Sequence, residues 1–348
     1  MPFDPHLPVQ ARDRRLVAYW LFAMCGMILV MVALGGATRL TGSGLSIMEW
    51  APIRGILPPL TAAEWERLYQ LYRTIPQYEL VNKGFGLEGF KQIFWLEWAH
   101  RLWGRLIGLA FVVPLAVLWW RGAVPRALLP RLMVLFVLGG LQGVIGWFMV
   151  ASGFAAESTA VSPYRLVVHL GLALVLYAAI LWTALGLLRE RPGPEVSRGV
   201  RRLVQVTVAV TALTILAGGF VAGLRAGLDY NTFPLMEGRL VPEGYGRLSP
   251  FLLNWAENVP AVQFNHRLLA TLTLVLAWAS LVAGWRGPAR PALLGLAGAV
   301  GVQYALGIAT LLYVVPVGLG TLHQTMAVVV LTTALVALDR MRSRPSSL

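Results

Sequence analysis

Four histidines each lie where a long apolar stretch of the chain begins. They are His100, His169, His266 and His323. An unpaired imidazole inside an apolar helix is costly, so four of them at matching places predict a ligand or partner for each. The fifth histidine, His6, lies in the polar N-terminus. The pattern predicts two buried sites, each formed by two imidazoles.

The residues around the histidines indicate what such sites would bind. Zinc takes three or four ligands, and a dicopper or non-haem iron centre would need further histidines or carboxylates at each site. Two axial imidazoles from facing helices suit a six-coordinate b-type haem. It would be bound non-covalently, because the chain has a single cysteine, Cys25, and so no Cys-x-x-Cys-His motif. The alternative is that the histidines hydrogen-bond to backbone or polar groups between helices.

Four arginines are candidates for binding the anionic edge of such a group. They are Arg39, Arg101, Arg225 and Arg267. Arg101 and Arg267 each directly follow a histidine, and a guanidinium makes strong charge-assisted hydrogen bonds with carboxylates such as haem propionates. The alternative for both is the ordinary role of a cation at the membrane interface.

Glu97 distinguishes the first predicted site from the second. It lies three residues before His100 on the same helical face, and the matching residue before His266 is Gln263, which cannot ionise. A carboxylate in one site and an amide in the other predict that one bound group is chemically changed while the other is kept. The alternative is a simple ion pair between Glu97 and Arg101, four residues further along the helix.

The elements that must position these residues are transmembrane helices. The 348 residues are 57% hydrophobic and 13% charged, which is more apolar than a soluble protein can bury. Runs of about 20 apolar residues predict an all-α polytopic membrane protein with eight spans. The predicted spans are 16–36, 99–120, 131–151, 166–188, 203–224, 264–285, 292–314 and 321–338.

The net charge of +13 indicates membrane topology rather than nucleic-acid binding. With both termini in the cytoplasm, the arginine clusters all fall on the cytoplasmic side, as is general for membrane proteins. These clusters are residues 12–15, 121–131, 189–202, 286–290 and 340–344. The same topology places the four histidines towards the outer face of the membrane.

The two halves of the sequence repeat one plan. The matching segments are Gly35-Gly36 with Gly218-Gly219, His100-Arg-Leu with His266-Arg-Leu, and Gln142 and Gly146 with Gln303 and Gly307. Because each half has four spans, both would face the same way across the membrane. Residues 1–190 and 191–348 are therefore predicted to form two four-helix bundles in a parallel repeat.

The first half carries the longer outer loop, residues 37–97. Thr61 and Glu64 have the spacing of a capping box, which predicts that a helix begins there. The extra length of this loop, residues 60–96, is predicted to be an outer lid or docking surface, with a solvated connector as the alternative.

Several long motifs resemble the haem A synthase family, membrane enzymes that convert haem O to haem A for cytochrome oxidase. They cover residues 35–46, 50–59, 82–84, 90–101, 222–227 and 230–236, and the resemblance extends over nearly the whole chain. Some bacterial members carry a cysteine pair in the first outer loop. This chain has none there, so it resembles the proteobacterial and mitochondrial type.

The resemblance implies a division of labour between the halves. His100 and His169 would be the axial ligands of the substrate, haem O, with Glu97 as the catalytic residue beside the C8 methyl group. Successive hydroxylation of that group would give the formyl group of haem A. His266 and His323 would hold the iron of a resident haem b that passes electrons.

The resemblance also implies a location and partners. The location would be the bacterial inner membrane, with the protein embedded in the lipid bilayer. Haem O synthase and oxidase assembly factors would be candidate partners, and a homo-oligomer remains open.

Two other functions remain open at this point. A dihaem b-type cytochrome that exchanges electrons with quinone would explain the four histidines, but it gives no role to the difference between Glu97 and Gln263. A transporter built on the repeat would be expected to show broken helices and polar residues at mid-membrane. Porphyrins extracted from the purified protein would distinguish these functions.

Overall fold

The structure, a computed structural model, describes residues 11–156, 158–189 and 195–342. Within these ranges, eight helices are long and apolar enough to cross a membrane, and two short helices lie between the first and second spans. In chain order the helices are α1 (Ala11–Leu40), α2 (Ala62–Tyr72), α3 (Pro76–Leu80), α4 (Gly86–Trp120), α5 (Leu129–Ala151), α6 (Pro163–Leu188), α7 (Arg198–Gly223), α8 (Val259–Ala283), α9 (Arg290–Leu312) and α10 (Val317–Arg340). The predicted class, an all-α polytopic membrane protein, is confirmed.

The helix that carries His100 begins earlier than hydropathy predicted. It begins at Gly86 rather than at residue 99, so the last part of the predicted outer loop 37–97 is helical. Charged residues end the apolar run there without ending the helix, and the pair of Lys91 and Glu88, 2.7 Å apart, supports its first turns. His100 therefore lies about four turns inside α4 rather than at its start.

The transmembrane helices pack in two rings of four. In the first ring α1 contacts α4, α4 contacts α5, α5 contacts α6, and α6 contacts α1. The second ring repeats this order with α7, α8, α9 and α10. The rings meet where α1 packs on α10, α6 on α7, and α6 on α10. The helices α4, α5, α8 and α9 consequently lie at the periphery, away from the junction.

The segment between α1 and α4, called the outer segment after the side of the membrane predicted for it, has an aromatic core of its own. Tyr72 and Phe90 are completely buried, and the ring of Trp65 packs edge-on against Phe94 with centroids 4.8 Å apart. These contacts bind α2 to the outer turns of α4, so the segment is an ordered cap over the first ring.

The capping interaction predicted at the start of α2 is present in part. The Thr61 hydroxyl accepts a hydrogen bond from the backbone N–H of Glu64 at 3.2 Å. The Glu64 carboxylate accepts one from the N–H of Leu60 at 3.3 Å, one residue earlier than a capping box requires.

Candidate functional site

Each of the four histidines packs against a glycine of the neighbouring helix. A Cβ atom built on that glycine would lie closer to the imidazole ring than ordinary van der Waals contact allows. The distances are 3.1 Å for Gly35 and His100, 3.0 Å for Gly146 and His169, 3.0 Å for Gly218 and His266, and 2.9 Å for Gly307 and His323. Glycine is needed here because any side chain would displace the imidazole from the backbone that it lies against.

The histidines lie in two pairs, one pair in each ring. His100 on α4 and His169 on α6 are near enough to interact electrostatically, and so are His266 on α8 and His323 on α10. In each ring, therefore, two facing helices contribute one imidazole each.

The Gly-Gly pairs connect each histidine pair with the other ring. Gly35 packs on His100, whereas its neighbour Gly36 faces the side chain of Gln324, which follows His323 in α10. The amide nitrogen of Gln324 also donates a hydrogen bond to the backbone oxygen of Val32 at 3.3 Å. Packing contacts thus run from one histidine pair to the other across the junction of the rings.

A glutamine supports the second histidine of each pair. The Gln142 amide nitrogen donates to the backbone oxygen of His169 at 2.9 Å, and Gln303 donates to that of His323 at 3.0 Å. In both rings the glutamine amide oxygen and the histidine Nδ1 are buried and have no partner among the described residues. Buried polar atoms of this kind normally have one, and a polar bound group would provide it.

His266 has the hydrogen bonding of a metal ligand. Its Nδ1 lies 3.1 Å from the backbone oxygen of Thr214, so an N–H at Nδ1 donates to that carbonyl and leaves the Nε2 lone pair available. The ring of His100 is oriented differently. Its Nε2 faces Gly35, whereas the other three rings present Cε1 to their glycines. A half-turn about the Cβ–Cγ bond converts one orientation into the other.

The Glu97 carboxylate is buried and fully hydrogen-bonded. It is 2% exposed, and its Oε2 accepts hydrogen bonds from the Ser46 hydroxyl at 2.7 Å and the Ile47 N–H at 2.9 Å. Its Oε1 accepts hydrogen bonds from Nε of Arg101 at 3.1 Å and from Nη2 at 2.6 Å. Arg101 also donates to the backbone oxygens of Ile47 at 2.6 Å and Glu49 at 3.0 Å. Glu97 and Arg101 together fasten the segment that follows α1 onto α4.

Gln263 and Arg267 fasten the corresponding segment in the second ring. The Gln263 nitrogen donates to the backbone oxygens of Ala226 and Asp229, both at 2.6 Å, and its oxygen accepts from Arg267 at 2.9 Å. Two more carbonyl groups accept from Arg267, those of Tyr230 at 2.6 Å and Thr232 at 2.9 Å. Gln263 and Arg267 thus both donate hydrogen bonds to a segment that accepts them through its backbone carbonyl groups.

Arg39 and Arg225 lie together where the rings meet. Arg39 donates a hydrogen bond to the backbone oxygen of Ala222 on α7, and its guanidinium is repelled by that of Arg225. In the part of the chain that the structure describes, neither forms an ion pair with a carboxylate. Two neighbouring guanidinium groups without a carboxylate partner favour the binding of an anionic group. Of the four predicted arginines, Arg101, Arg267 and Arg39 all bind backbone oxygens, and only Arg39 and Arg225 lie near each other.

Two further residues at the first site were not predicted from the sequence. Ser46 donates to Glu97, and Arg105 donates to the backbone oxygens of Ala51 at 2.8 Å and Pro52 at 2.8 Å. Arg105 could have been found, because it lies eight residues after Glu97 on the same face of the helix. Ser46 is one of several small polar residues in its segment, and its approach to Glu97 depends on tertiary packing.

The comparisons agree with the resemblance. Residues 18–335 match a family described as cytochrome oxidase assembly protein. The chain is 62% identical over 336 residues to the heme A synthase of Granulibacter bethesdensis, a match that covers 96% of this chain and 89% of that protein. It is 50% identical over 320 residues to the heme A synthase of Rhodospirillum centenum, covering 90% and 85% of the two chains. For the heme A synthase of Parvibaculum lavamentivorans the identity is 46% over 329 residues, covering 94% and 95%.

Proposed function

The chain belongs to the family of cytochrome oxidase assembly proteins that includes the haem A synthases, and we propose that it is an oxidoreductase converting haem O to haem A. The reaction oxidises the C8 methyl group to a formyl group by successive hydroxylation. The observation that carries this proposal is that both rings hold a histidine pair, yet a buried carboxylate, Glu97, accompanies one pair only. The protein would act in the bacterial inner membrane.

The second pair, His266 and His323, is proposed to bind haem b through its iron. The residues fit such a group, because the Thr214 carbonyl holds the proton of His266 on Nδ1 and leaves Nε2 as the ligand atom. Gly218 and Gly307 let both rings lie against the helix backbone. When bound, the haem would supply single-electron transfer.

The first pair, His100 and His169, is proposed to bind the iron of the substrate. Glu97 lies one helical turn before His100 and is proposed as the catalytic residue beside the methyl group. Its oxygens already accept hydrogen bonds from Ser46, Ile47 and Arg101. Glu97 is therefore proposed to stabilise the positive charge that develops at the porphyrin edge rather than to take up a proton.

Electrons would pass between the pairs across the junction of the rings. The contact of Gly35 with His100 and that of Gly36 with Gln324, next to His323, support this route. Arg39 and Arg225 are proposed to bind haem propionates at the same junction, with Arg101 and Arg267 contributing only where their bonds to backbone leave N–H groups free.

The arrangement of the halves and their orientation are part of the proposal. The two rings, with their matching glycine, histidine and glutamine contacts, support a parallel repeat with residues 1–190 and 191–348 as its halves. The arginine clusters support cytoplasmic termini and histidine pairs towards the outer face. Contact with haem O synthase, with oxidase assembly factors or with a second copy of the chain stays a prediction.

Analysis of extracted porphyrins tests the proposed function. The protein is purified from cells that make haem O, and its haems are extracted and separated. Haem b together with haem O or haem A is expected. Haem b alone, at two equivalents per chain, would contradict the proposal and indicate the dihaem cytochrome.

A further inference from the structure

The second and third spans pack differently in the two rings. In the second ring α8 and α9 pack closely, and Ala277 and Ala297 are buried in one apolar core. In the first ring α4 and α5 pack less closely. The positions that correspond to the two alanines are Phe111 and Phe136, whose stacked rings have centroids 6.0 Å apart. Large side chains at a helix contact increase the distance between the axes, so α4 and α5 are held further apart.

Between two aromatic contacts, α4 and α5 have glycines with no atom near their Cβ positions, and this stretch is here called the opening. The inner boundary is the stacked pair of Phe111 and Phe136. At the outer boundary, Trp147 of α5 packs edge-on against Trp50 of the outer segment, with centroids 5.6 Å apart. The guanidinium of Arg101 lies 5.6 Å from the centroid of the same Trp147 ring.

The outer boundary lies beside the first histidine pair. Arg101 directly follows His100, and Trp147 directly follows Gly146, which packs on His169. The opening therefore begins at the site proposed for the substrate.

Glycines line the opening between its two boundaries. Gly140 and Gly143 lie on the same face of α5 as Phe136 and Trp147, because these four positions are three or four residues apart. Both glycines are exposed, and no atom lies within 4 Å of a Cβ atom built on either one. The same holds for the Cβ position of Gly108 on α4.

The second ring is closed at the corresponding place. Tyr304 occupies the position of Gly143, and its hydroxyl lies at hydrogen-bond distance, 2.9 Å, from the hydroxyl of Thr271 on α8. The ring of Phe233, from the outer segment, packs edge-on against Tyr304 with centroids 6.2 Å apart. The α8–α9 contact thus has a cross-link where the α4–α5 contact has an opening.

We infer that the opening bounded by Phe111, Phe136, Trp147 and Trp50 holds the isoprenoid tail of the substrate and leads it from the first histidine pair into the bilayer. This inference rests on the proposed function. Haem O carries a long apolar tail that haem b lacks, and such a tail is more stable in apolar surroundings than in water. The ring proposed for the tailed haem is the one with the opening, and the ring proposed for haem b is closed. The opening would therefore also select haem O over haem b at the first site.

Filling the opening tests the inference. Gly143→Leu places a side chain in the opening, and Gly301→Leu is the matched control, because Gly301 on α9 likewise has no atom within 4 Å of its Cβ position. Leucine favours a helix more than glycine does, so both variants should fold. Protein that already contains haem b in the second ring is titrated in lipid nanodiscs with haem O and, separately, with haem b.

Gly143→Leu should lower the affinity for haem O by about tenfold or more, the effect of losing contact with about two methylene groups of the tail. Its affinity for haem b at the first pair should stay within about twofold, because haem b has no tail to lose. Gly301→Leu should change neither. An unchanged affinity for haem O, or an equal loss for both haems, would overturn the inference. So would wild-type protein that binds both haems equally, as expected if lipid acyl chains alone occupy the opening. Failure of wild-type protein to bind haem O at all would instead refute the proposed function.

Discussion

In both rings a polar side chain attaches the outer segment to a helix that bears a histidine, but it accepts hydrogen bonds in the first ring and donates them in the second. In the first ring the Glu97 carboxylate accepts hydrogen bonds from the Ser46 hydroxyl and the Ile47 N–H. In the second, the Gln263 amide donates to two backbone carbonyl groups. In both, an arginine four residues later completes the attachment of the outer segment to the helix that bears a histidine.

The comparison separates what structure requires from what chemistry requires. In the second ring an uncharged amide is sufficient because the segment presents carbonyl acceptors, whereas in the first ring Ser46, Ile47 and Arg101 all donate. Burying a charge costs free energy unless it is paired and hydrogen-bonded, and the first ring meets that cost with Arg101 and two further donors. These donors account for a carboxylate at this place, so the proposed catalytic role of Glu97 depends on its position one helical turn before His100.

Removing one histidine from each ring should have the largest effect. His323→Ala should abolish the spectrum of the haem b proposed for the second ring, because one of the residues that would hold its iron is lost. His169→Ala should leave that spectrum in place and remove bound haem O. Optical spectra and extracted porphyrins measure both outcomes. If the two variants lost the same haem, the division of labour between the rings would be wrong.

Neutralising Glu97 should come next in size. Glu97→Gln keeps the size of the side chain and removes its charge, so haem A formation should fall by about 10²–10³-fold, the range for losing one group that stabilises charge in a transition state. Haem O binding should persist, and haem O or a hydroxylated intermediate should accumulate in the extracted haems.

Ser46→Ala is the matched control for Glu97→Gln. It removes one hydrogen bond from the same carboxylate but keeps the charge, and one such bond contributes about 1–3 kcal/mol. Haem A formation should therefore fall much less than in Glu97→Gln. Equal losses in the two variants would mean that Glu97 only positions the outer segment.

The reverse exchange in the second ring should destabilise the folded protein and should have no direct effect on the chemistry of the substrate. Gln263→Glu places a carboxylate against the carbonyl oxygens of Ala226 and Asp229, where it replaces two donated hydrogen bonds by repulsion. The expected loss is about 2–6 kcal/mol, because each of the two buried acceptors left unpaired costs about 1–3 kcal/mol. It would be measured as a lower midpoint temperature for release of haem b. Gln263→Met also leaves both acceptors unpaired but adds no charge, so it should lower the midpoint less. A midpoint equal to that of wild type would show that the polarity of the segment is unimportant.

The sequence was sufficient for the spans and for the asymmetry at Glu97 and Gln263. Long apolar runs are a strong signal, and histidines within them are rare enough to be recognised singly. The start of α4 was missed because residues such as Glu88 and Lys91 are as common in loops as in the exposed turns of a helix. The polarity of the outer segments was also missed. The backbone presents an N–H to α4 at Ile47 but a carbonyl group to α8 at Ala226. Which group faces the helix depends on how the segment approaches it.

The roles of Arg101 and Trp147 show the same limit. Arg101 was predicted to bind a propionate, with an interface role or an ion pair with Glu97 as alternatives. The ion pair is present, and the two bonds to backbone carbonyl groups were not predicted. Trp147 was one of many apolar residues in its span, and only its contacts with Trp50 and Arg101 single it out. Local sequence predicts the elements, whereas contacts between elements far apart in the chain decide what each polar side chain does.

The smallest expected effect concerns how the outer segments are held, and it is sensitive to pH. In the first ring both guanidinium Nη atoms of Arg67 on α2 donate to the Glu49 carboxylate, at 2.9 and 3.0 Å, and join parts of the segment that are 18 residues apart. In the second ring the pair of Arg239 and Glu243 is only four residues apart and joins nothing distant. The hydrogen bonds from Arg67, more than its charge, hold the pKa of Glu49 below its ordinary value.

Because the pKa of Glu49 is lowered in the folded protein, its bond with Arg67 stabilises the outer segment at pH values above the ordinary glutamate pKa of about 4.3. This stabilisation is lost as the pH falls through the lower pKa of the folded state. Both side chains are about half exposed, 43% for Glu49 and 51% for Arg67, so solvent screening limits the contribution to less than about 1 kcal/mol. Amide hydrogen exchange of α2, followed from about pH 7 to pH 3 and corrected for intrinsic exchange rates, should show protection that declines in the acid range. Arg67→Met should show lower protection at neutral pH and no further acid-dependent decline, and residues 239–243 should not differ between the two proteins. An identical pH profile in wild type and Arg67→Met would mean that the aromatic core around Tyr72 and Phe90 alone holds α2 on the first ring.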